Sequence, residues 1–254
     1  MSAVGGTGSS RSHAALAVGV LALMASMIVA YGVSAPAPVA SANTVAAVET
    51  APAPAPAVTD APEPETSEPV ASRAPPTVAV VGDSLAYSVA GELDASLRLL
   101  GVTPVLQVAP GRHVQDWGLD GLISPGLVVV DELRSVGPAL WVIQLGTNDI
   151  ADGPLDSGLY ASWITAMLDE IGPNTPVVWM GVHRLDLPAE SQAFDAVLRL
   201  LDTERRELSV ADWAQVALSE PVLADDGVHL TEAGGHRFVE TIAAAVQARL
   251  AASG

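Results

Sequence analysis

The segment Asp226-Gly227-Val228-His229 places a carboxylate three residues before an imidazole in a polar loop. At that spacing the acid can hold one ring nitrogen while the other takes up a proton, so His229 reads as a general base and Asp226 as its partner. Asp225 is adjacent and competes for the partner's role; the spacing favours Asp226. A base of this kind needs a nucleophile, and Gly82-Asp83-Ser84-Leu85 offers Ser84 in a turn. A serine hydroxyl attacks poorly until a base removes its proton. Gly146-Thr147-Asn148-Asp149 then supplies Asn148, whose side-chain amide can donate to an oxyanion without titrating. Gly111, in Ala109-Pro110-Gly111-Arg112-His113, can aim a backbone N–H at the same point. The chemistry these residues share is acyl transfer through serine, which needs no metal and no organic cofactor.

Each motif has a plainer reading by itself. Ser84 could simply cap a helix, Asp83 could satisfy nearby amides in a turn, and Asn148 and Pro110-Gly111 could form turns. The five histidines are His13, His113, His183, His229 and His236. His13 precedes a membrane-like segment, and His236 falls inside the last helical stretch, where it packs or faces solvent. His113 and His183 lie near strand ends, and either could line a pocket. Only His229 has a loop carboxylate three residues before it.

The elements that must position these residues follow from periodicity. Thr77–Val81, Pro104–Val108, Leu140–Leu145 and Pro176–Val182 are continuous apolar runs rich in β-branched residues and read as buried strands. A weaker fifth strand covers Leu208–Ala211. Helical periodicity spans 85–100, 125–136, 156–172 and 189–204, and Leu230–Ala252 gives a last helix with Thr231 as N-cap and Glu232 in its first turn. Strands alternating with helices predict an α/β domain, a parallel sheet in a three-layer α/β/α sandwich. Sites in such sheets form in loops beyond the carboxyl ends of strands, where these motifs fall.

Composition narrows the class. The formal charge of the 254 residues is −18, and every basic residue is arginine. Residues 77–254 carry nine arginines against 24 acids. That balance argues against nucleic acid or an anionic membrane surface as the partner. The absence of cysteine excludes disulfides, a thiolate nucleophile and cysteine-ligated zinc.

Residues 14–33 carry no charge and are long enough, at about 20 residues, to cross a bilayer as a helix. Residues 1–33 therefore read as a transmembrane anchor or a signal peptide, with Ala40-Ser41-Ala42 as a cleavage site in the second case. Arg11 ahead of the run favours a cytoplasmic N-terminus and an exported body, anchored to the membrane or secreted. Ten of the 19 prolines lie in residues 34–76, which predict a disordered, acidic Pro/Ala-rich linker. Residues 77–254 are the expected folded domain.

Gly82-Asp83-Ser84-Leu85, Gly111, Gly146-Thr147-Asn148-Asp149 and Asp226-Gly227-Val228-His229 resemble the four blocks of the SGNH, or GDSL, hydrolase superfamily. The resemblance covers most of 77–254 and none of 1–76; its second block rests on one glycine. It implies a flavodoxin-like domain with Ser84 as nucleophile, His229 as base and Asp226 as its partner. The Ser84 N–H, the Gly111 N–H and the Asn148 side chain would form the oxyanion hole. The layout is also similar to exported SGNH domains that follow membrane segments in bacterial cell-wall O-acetyltransferases, in Val177–Val182, Asp212-Trp213 and Asp226–Thr231. These 254 residues hold no multi-span acyltransferase module of the kind those proteins carry.

The expectation is an extracytoplasmic serine esterase. With only 4% aromatic residues and no long apolar lid, it is expected to act on a small acyl group carried by a glycan or another small molecule. Transfer of the acyl group to an envelope glycan, or binding by a non-catalytic domain on the same scaffold, are the alternatives. Arg112 and Arg184 could contact an acidic group, though loop arginines are more often solvated.

Overall fold

The structure, a computed structural model, describes residues 74–252; the apolar run 14–33 and residues 34–73 lie outside the described residues. The described residues fold around five parallel strands: β1 (Thr77–Gly82), β2 (Thr103–Val108), β3 (Leu140–Gln144), β4 (Val177–Met180) and β5 (Leu208–Ala211). Their order across the sheet is β2-β1-β3-β4-β5. In the central register Val80 sits between Leu106 and Val142.

Because successive strand residues face opposite ways, the continuous apolar runs supply two cores at once. Ala79, Val81, Trp141, Ile143, Val177 and Trp179 pack on one face. That face is covered by α3 (Gly126–Leu133), α5 (Ser157–Ile171) and α6 (Pro188–Glu204). Val78, Val80, Leu140, Val142, Val178 and Met180 pack on the other. There the cover is α1 (Ser84–Ser88), α2 (Ala90–Leu99), α7 (Trp213–Ser219) and α8 (Glu232–Ala251). A short helix, α4 (Asp149–Asp152), completes the eight α-helices among the described residues. This is the three-layer parallel architecture that the periodicity predicts.

Boundaries differ where local chemistry intervenes. The stretch 85–100 is two helices rather than one. Val89 leaves the helical region (φ −115°, ψ 15°), and the Ser88 hydroxyl donates to the Leu85 carbonyl at 2.7 Å, competing with helix continuation. The fourth strand is shorter than 176–182, ending at Met180. Two helices escape the periodicity argument, α4 and α7, because four and seven residues are too few to show a 3.6-residue repeat. The last helix begins as expected, with Thr231 Oγ1 accepting from Gly234 N at 3.0 Å.

The strand order fixes where chemistry can occur. The chain leaves β1 for β2 on one side and reaches β3 on the other, so the crevice opens above the carboxyl end of β1. Ser84 is the second residue past that end.

Candidate active site

The turn that carries Ser84 is built from buried polar groups. Asp83 caps α1, its Oδ1 accepting from Leu85 N at 2.9 Å. Gln144, buried at the end of β3, accepts through Oε1 from both Asp83 N and Ala86 N, each at 3.2 Å. These bonds use the amides on either side of Ser84 and leave its own N–H without an acceptor among the described residues. That N–H stands at a helix start, where unpaired donors and the peptide dipoles favour negative charge. The Ser84 hydroxyl is half-buried and carries no hydrogen bond to another described residue.

Gly111 adopts φ +71°, a left-handed backbone, and a Cβ there would stand 3.2 Å from Leu119 Cγ. Its N–H also has no acceptor among the described residues. Asn148 follows the Gly146 turn, whose φ of +120° and closeness to Phe194 (2.6 Å from an added Cβ) admit only glycine. Asn148 Nδ2 donates to the Arg112 carbonyl at 3.0 Å, which ties the β2 and β3 loops together and leaves its second amide hydrogen free. Asp149 extends the same tie, accepting from Val114 N at 2.8 Å.

Asp226 and His229 occupy a tight loop closed by the Leu223–Leu230 bridge and braced where Leu185 N donates to the Gly227 carbonyl at 2.9 Å. Asp226 Oδ1 accepts from Val228 N and His229 N, both at 2.9 Å, and Oδ2 stands 2.8 Å from His229 Nδ1. An ionised carboxylate only accepts, so Nδ1 carries the proton and Nε2 is left as the basic atom. Partial burial works to raise the Asp226 pKa, but the bonds from His229 and the two amides outweigh it and hold the group below its ordinary value. Both side chains are half-exposed. Asp225 makes no bond to the ring.

His229 also reaches the Ser84 turn electrostatically. Burial pushes Asp83 up to about 6, while Gln144, Thr147 and the His229 ring pull it back. Asp149 is likewise pushed up to about 6 by burial, against the pull of its Val114 amide bond and of His113, with Asp83 adding repulsion. Two largely desolvated carboxyls therefore lie beneath the candidate nucleophile and Asn148.

Sequence reasoning missed Gln144. Its signal was available: it is the one polar residue in the strand Leu-Trp-Val-Ile-Gln. The arginines are corrected. Arg112 is buried, and its guanidinium holds backbone carbonyls of Gly82, Gln107 and Ser124, clamping the ends of β1 and β2. Burial lowers its pKa, with Asp83 opposing. Arg184 bridges Asp186 and the Thr147 carbonyl, 3.1 Å away. Neither is a solvated loop cation. His183 lines a cavity of about 320 Å³ with Pro188, Asp195 and Leu218, whose lining does not include Ser84. His236 faces solvent and bonds Glu92 of α2 at 2.7 Å.

By sequence, no family model and no curated protein matches the chain. By structure, the chain is similar to the C-terminal catalytic domain of peptidoglycan O-acetyltransferase A from Streptococcus pneumoniae. The two are 18% identical with a TM-score of 0.56, over 70% of this chain and 96% of that one. It is also similar to a carbohydrate esterase family 3 from Talaromyces cellulolyticus, at 19% identity and a TM-score of 0.54, over 67% and 96%. A member of the lipolytic G-D-S-L family from Veillonella parvula aligns at 17% identity and a TM-score of 0.53, over 65% and 94%. At these identities the likeness is one of fold.

Proposed function

We propose, from the premise that the described domain has the SGNH/GDSL hydrolase fold of these structures, that the protein is a serine esterase acting outside the cytoplasmic membrane. The observation that carries the reading is the Asp226–His229 pair at 2.8 Å in one loop, together with a serine turn at the end of β1 whose amide is unspent. In the proposed reaction His229 Nε2 takes the Ser84 proton as Oγ attacks the ester carbonyl. The carbonyl oxygen becomes an oxyanion held by the Ser84 and Gly111 N–H groups and Asn148 Nδ2. Collapse expels the alcohol, which receives the proton from His229. Water, deprotonated by His229, then releases the acid from acyl-Ser84. Asp226 stays ionised and steadies the imidazolium in both halves. The Ser84–His229 hydrogen bond forms in this reading as substrate enters and the turn tightens.

The half-exposed dyad suits an ester on a bulky glycan, and the relatives include a carbohydrate esterase and a peptidoglycan O-acetyltransferase domain. Openness also favours a second reading, in which a glycan hydroxyl replaces water. Product analysis with an acyl donor, with and without wall glycan, separates the two. The uncharged run 14–33 behind Arg11 supports export of the domain. The deciding experiment is labelling of the full-length protein with a fluorophosphonate probe. Ser84 is expected to be modified and Ser84→Ala to stay unlabelled; a folded wild-type protein that resists the probe defeats the esterase reading and favours a non-catalytic binding domain.

A further inference from the structure

Beside Gly111 and Asn148 lies a cavity of about 150 Å³ lined by His113, Asp116, Trp117, Asp149, Asp152, Gly153 and Trp163, none of which the proposed acyl chemistry uses. Its floor is polar and unsatisfied. His113 is 9% exposed and Asp149 3% exposed, yet His113 Nδ1 and Asp149 Oδ2 have no hydrogen-bond partner. His113 Nε2 is fixed by Asp152 at 3.0 Å. Buried polar atoms left unpaired are costly and make the ground beneath the cavity polar, while the carboxylates of Asp116 and Asp152 are the groups a ligand can reach. At about 30 Å³ per water-sized group, the cavity has room for several.

Its wall is aromatic. Trp117 is 56% exposed, an unusual position for the largest side chain. It precedes a tight hairpin, Gly118–Ile123, whose tip residues Leu119 and Asp120 hold left-handed φ angles of 47° and 54°. Strain of that kind in non-glycine residues gathers at working sites. The hairpin is pressed onto the candidate oxyanion glycine: a Cβ on Gly118 would fall 2.0 Å from the Gly111 carbonyl oxygen. Trp117 thus lines the cavity from a hairpin that rests on the candidate oxyanion glycine.

We propose that this cavity is a glycosyl-binding subsite that selects an uncharged sugar. An indole face offers a flat, electron-rich platform to the C–H edges of a pyranose. The exposed carboxylates of Asp116 and Asp152 accept from its hydroxyls. Three carboxylates around one small cavity, in a chain of formal charge −18, repel a sugar that carries its own carboxylate. The proposal rests on the esterase reading for its place beside the reacting ester, and on the cavity alone for binding.

The test uses the full-length protein with p-nitrophenyl acetate, a mono-acetylated methyl glucoside and the matching acetylated methyl glucuronoside. The neutral sugar ester is expected to exceed the uronate in kcat/KM by about tenfold or more. Trp117→Ala is expected to lower the ratio of glucoside to p-nitrophenyl acetate turnover by about tenfold, mostly through KM. Asp152→Asn is expected to narrow the gap between neutral and acidic sugars. Equal losses on all substrates in Trp117→Ala assign it a structural role and overturn the subsite, as does equal turnover of the two sugars. If p-nitrophenyl acetate itself is not hydrolysed, the esterase reading has failed, and the subsite is judged by calorimetry on Ser84→Ala. There, β-1,4-linked oligomers of glucose, xylose or N-acetylglucosamine must bind more tightly than oligogalacturonate; absence of that preference overturns it.

Discussion

Asn148 and Asp226 are the residues whose substitution tests the proposed chemistry most directly. Asn148→Ala removes one proposed oxyanion donor, and kcat is expected to fall by about 10²–10³ with KM nearly unchanged. Steady-state kinetics check this; a kcat within twofold of wild type removes Asn148 from the hole. Asp226→Asn keeps an oxygen for the Val228 and His229 amides but loses the charge that sets the ring's tautomer. Its kcat is expected to drop by about 10⁴, with melting shifted only slightly. Ser84, Asn148, Asp226 and His229 stood out in the sequence because each sits in a loop or at a helix start where its residue type has a chemical use. Gln144 did not, because its importance comes from the β1–β3 pairing, which brings its side chain under a turn 58 and 61 residues away. Arg112 misled for the same reason. Nothing local says that an arginine after Pro-Gly will turn inward to hold carbonyls of two strands.

At the scale of elements, the β1–α1 turn should leave a mark on stability against pH. Asp83 is pushed up to about 6 in the folded chain, chiefly by burial, from an ordinary value near 4. The folded state thus holds the proton more tightly than the unfolded one. Its contribution to stability is present below pH 4 and is lost as pH rises through 6, a difference of about 3 kcal/mol. Asp149 is pushed the same way by burial and repels it, and the Arg112 guanidinium lies opposite in charge. Asp83→Asn keeps the acceptor for Leu85 N and carries no proton to lose. Its advantage in Tm over wild type is expected to grow by roughly 5–10 °C between pH 4.5 and pH 7.5; calorimetry showing a constant offset contradicts the assignment. Gln144→Leu is the companion case. It leaves Asp83 N and Ala86 N without their side-chain acceptor, and a loss of about 1–3 kcal/mol in denaturant melts is expected. The strands were readable because burial on both faces demands unbroken apolar runs. The break at Val89 was not, since it comes from one hydroxyl competing for one carbonyl and leaves the apolar pattern intact.

For the whole molecule, charge and hydropathy point the same way. A domain with nine arginines against 24 acids gains nothing from a lipid surface that is itself anionic, so the proposed membrane placement rests on another part of the chain. In this proposal the uncharged residues 14–33 provide it, with Arg11 setting their orientation. Catalysis and placement then reside in different parts of the sequence and should separate experimentally. In a bacterial host, the full-length protein is expected either in the membrane pellet or, if cleaved, outside the cytoplasm. Protease added to intact spheroplasts should reach the 77–254 domain in the first case. A chain beginning at residue 74 is expected to stay in the cytoplasm, with kcat/KM for p-nitrophenyl acetate within about twofold of the full-length value, since every proposed catalytic group lies beyond that point. A full-length domain shielded from the protease, or a truncated one equally exported, defeats the extracytoplasmic assignment while leaving the acyl chemistry at Ser84 to stand or fall on the probe.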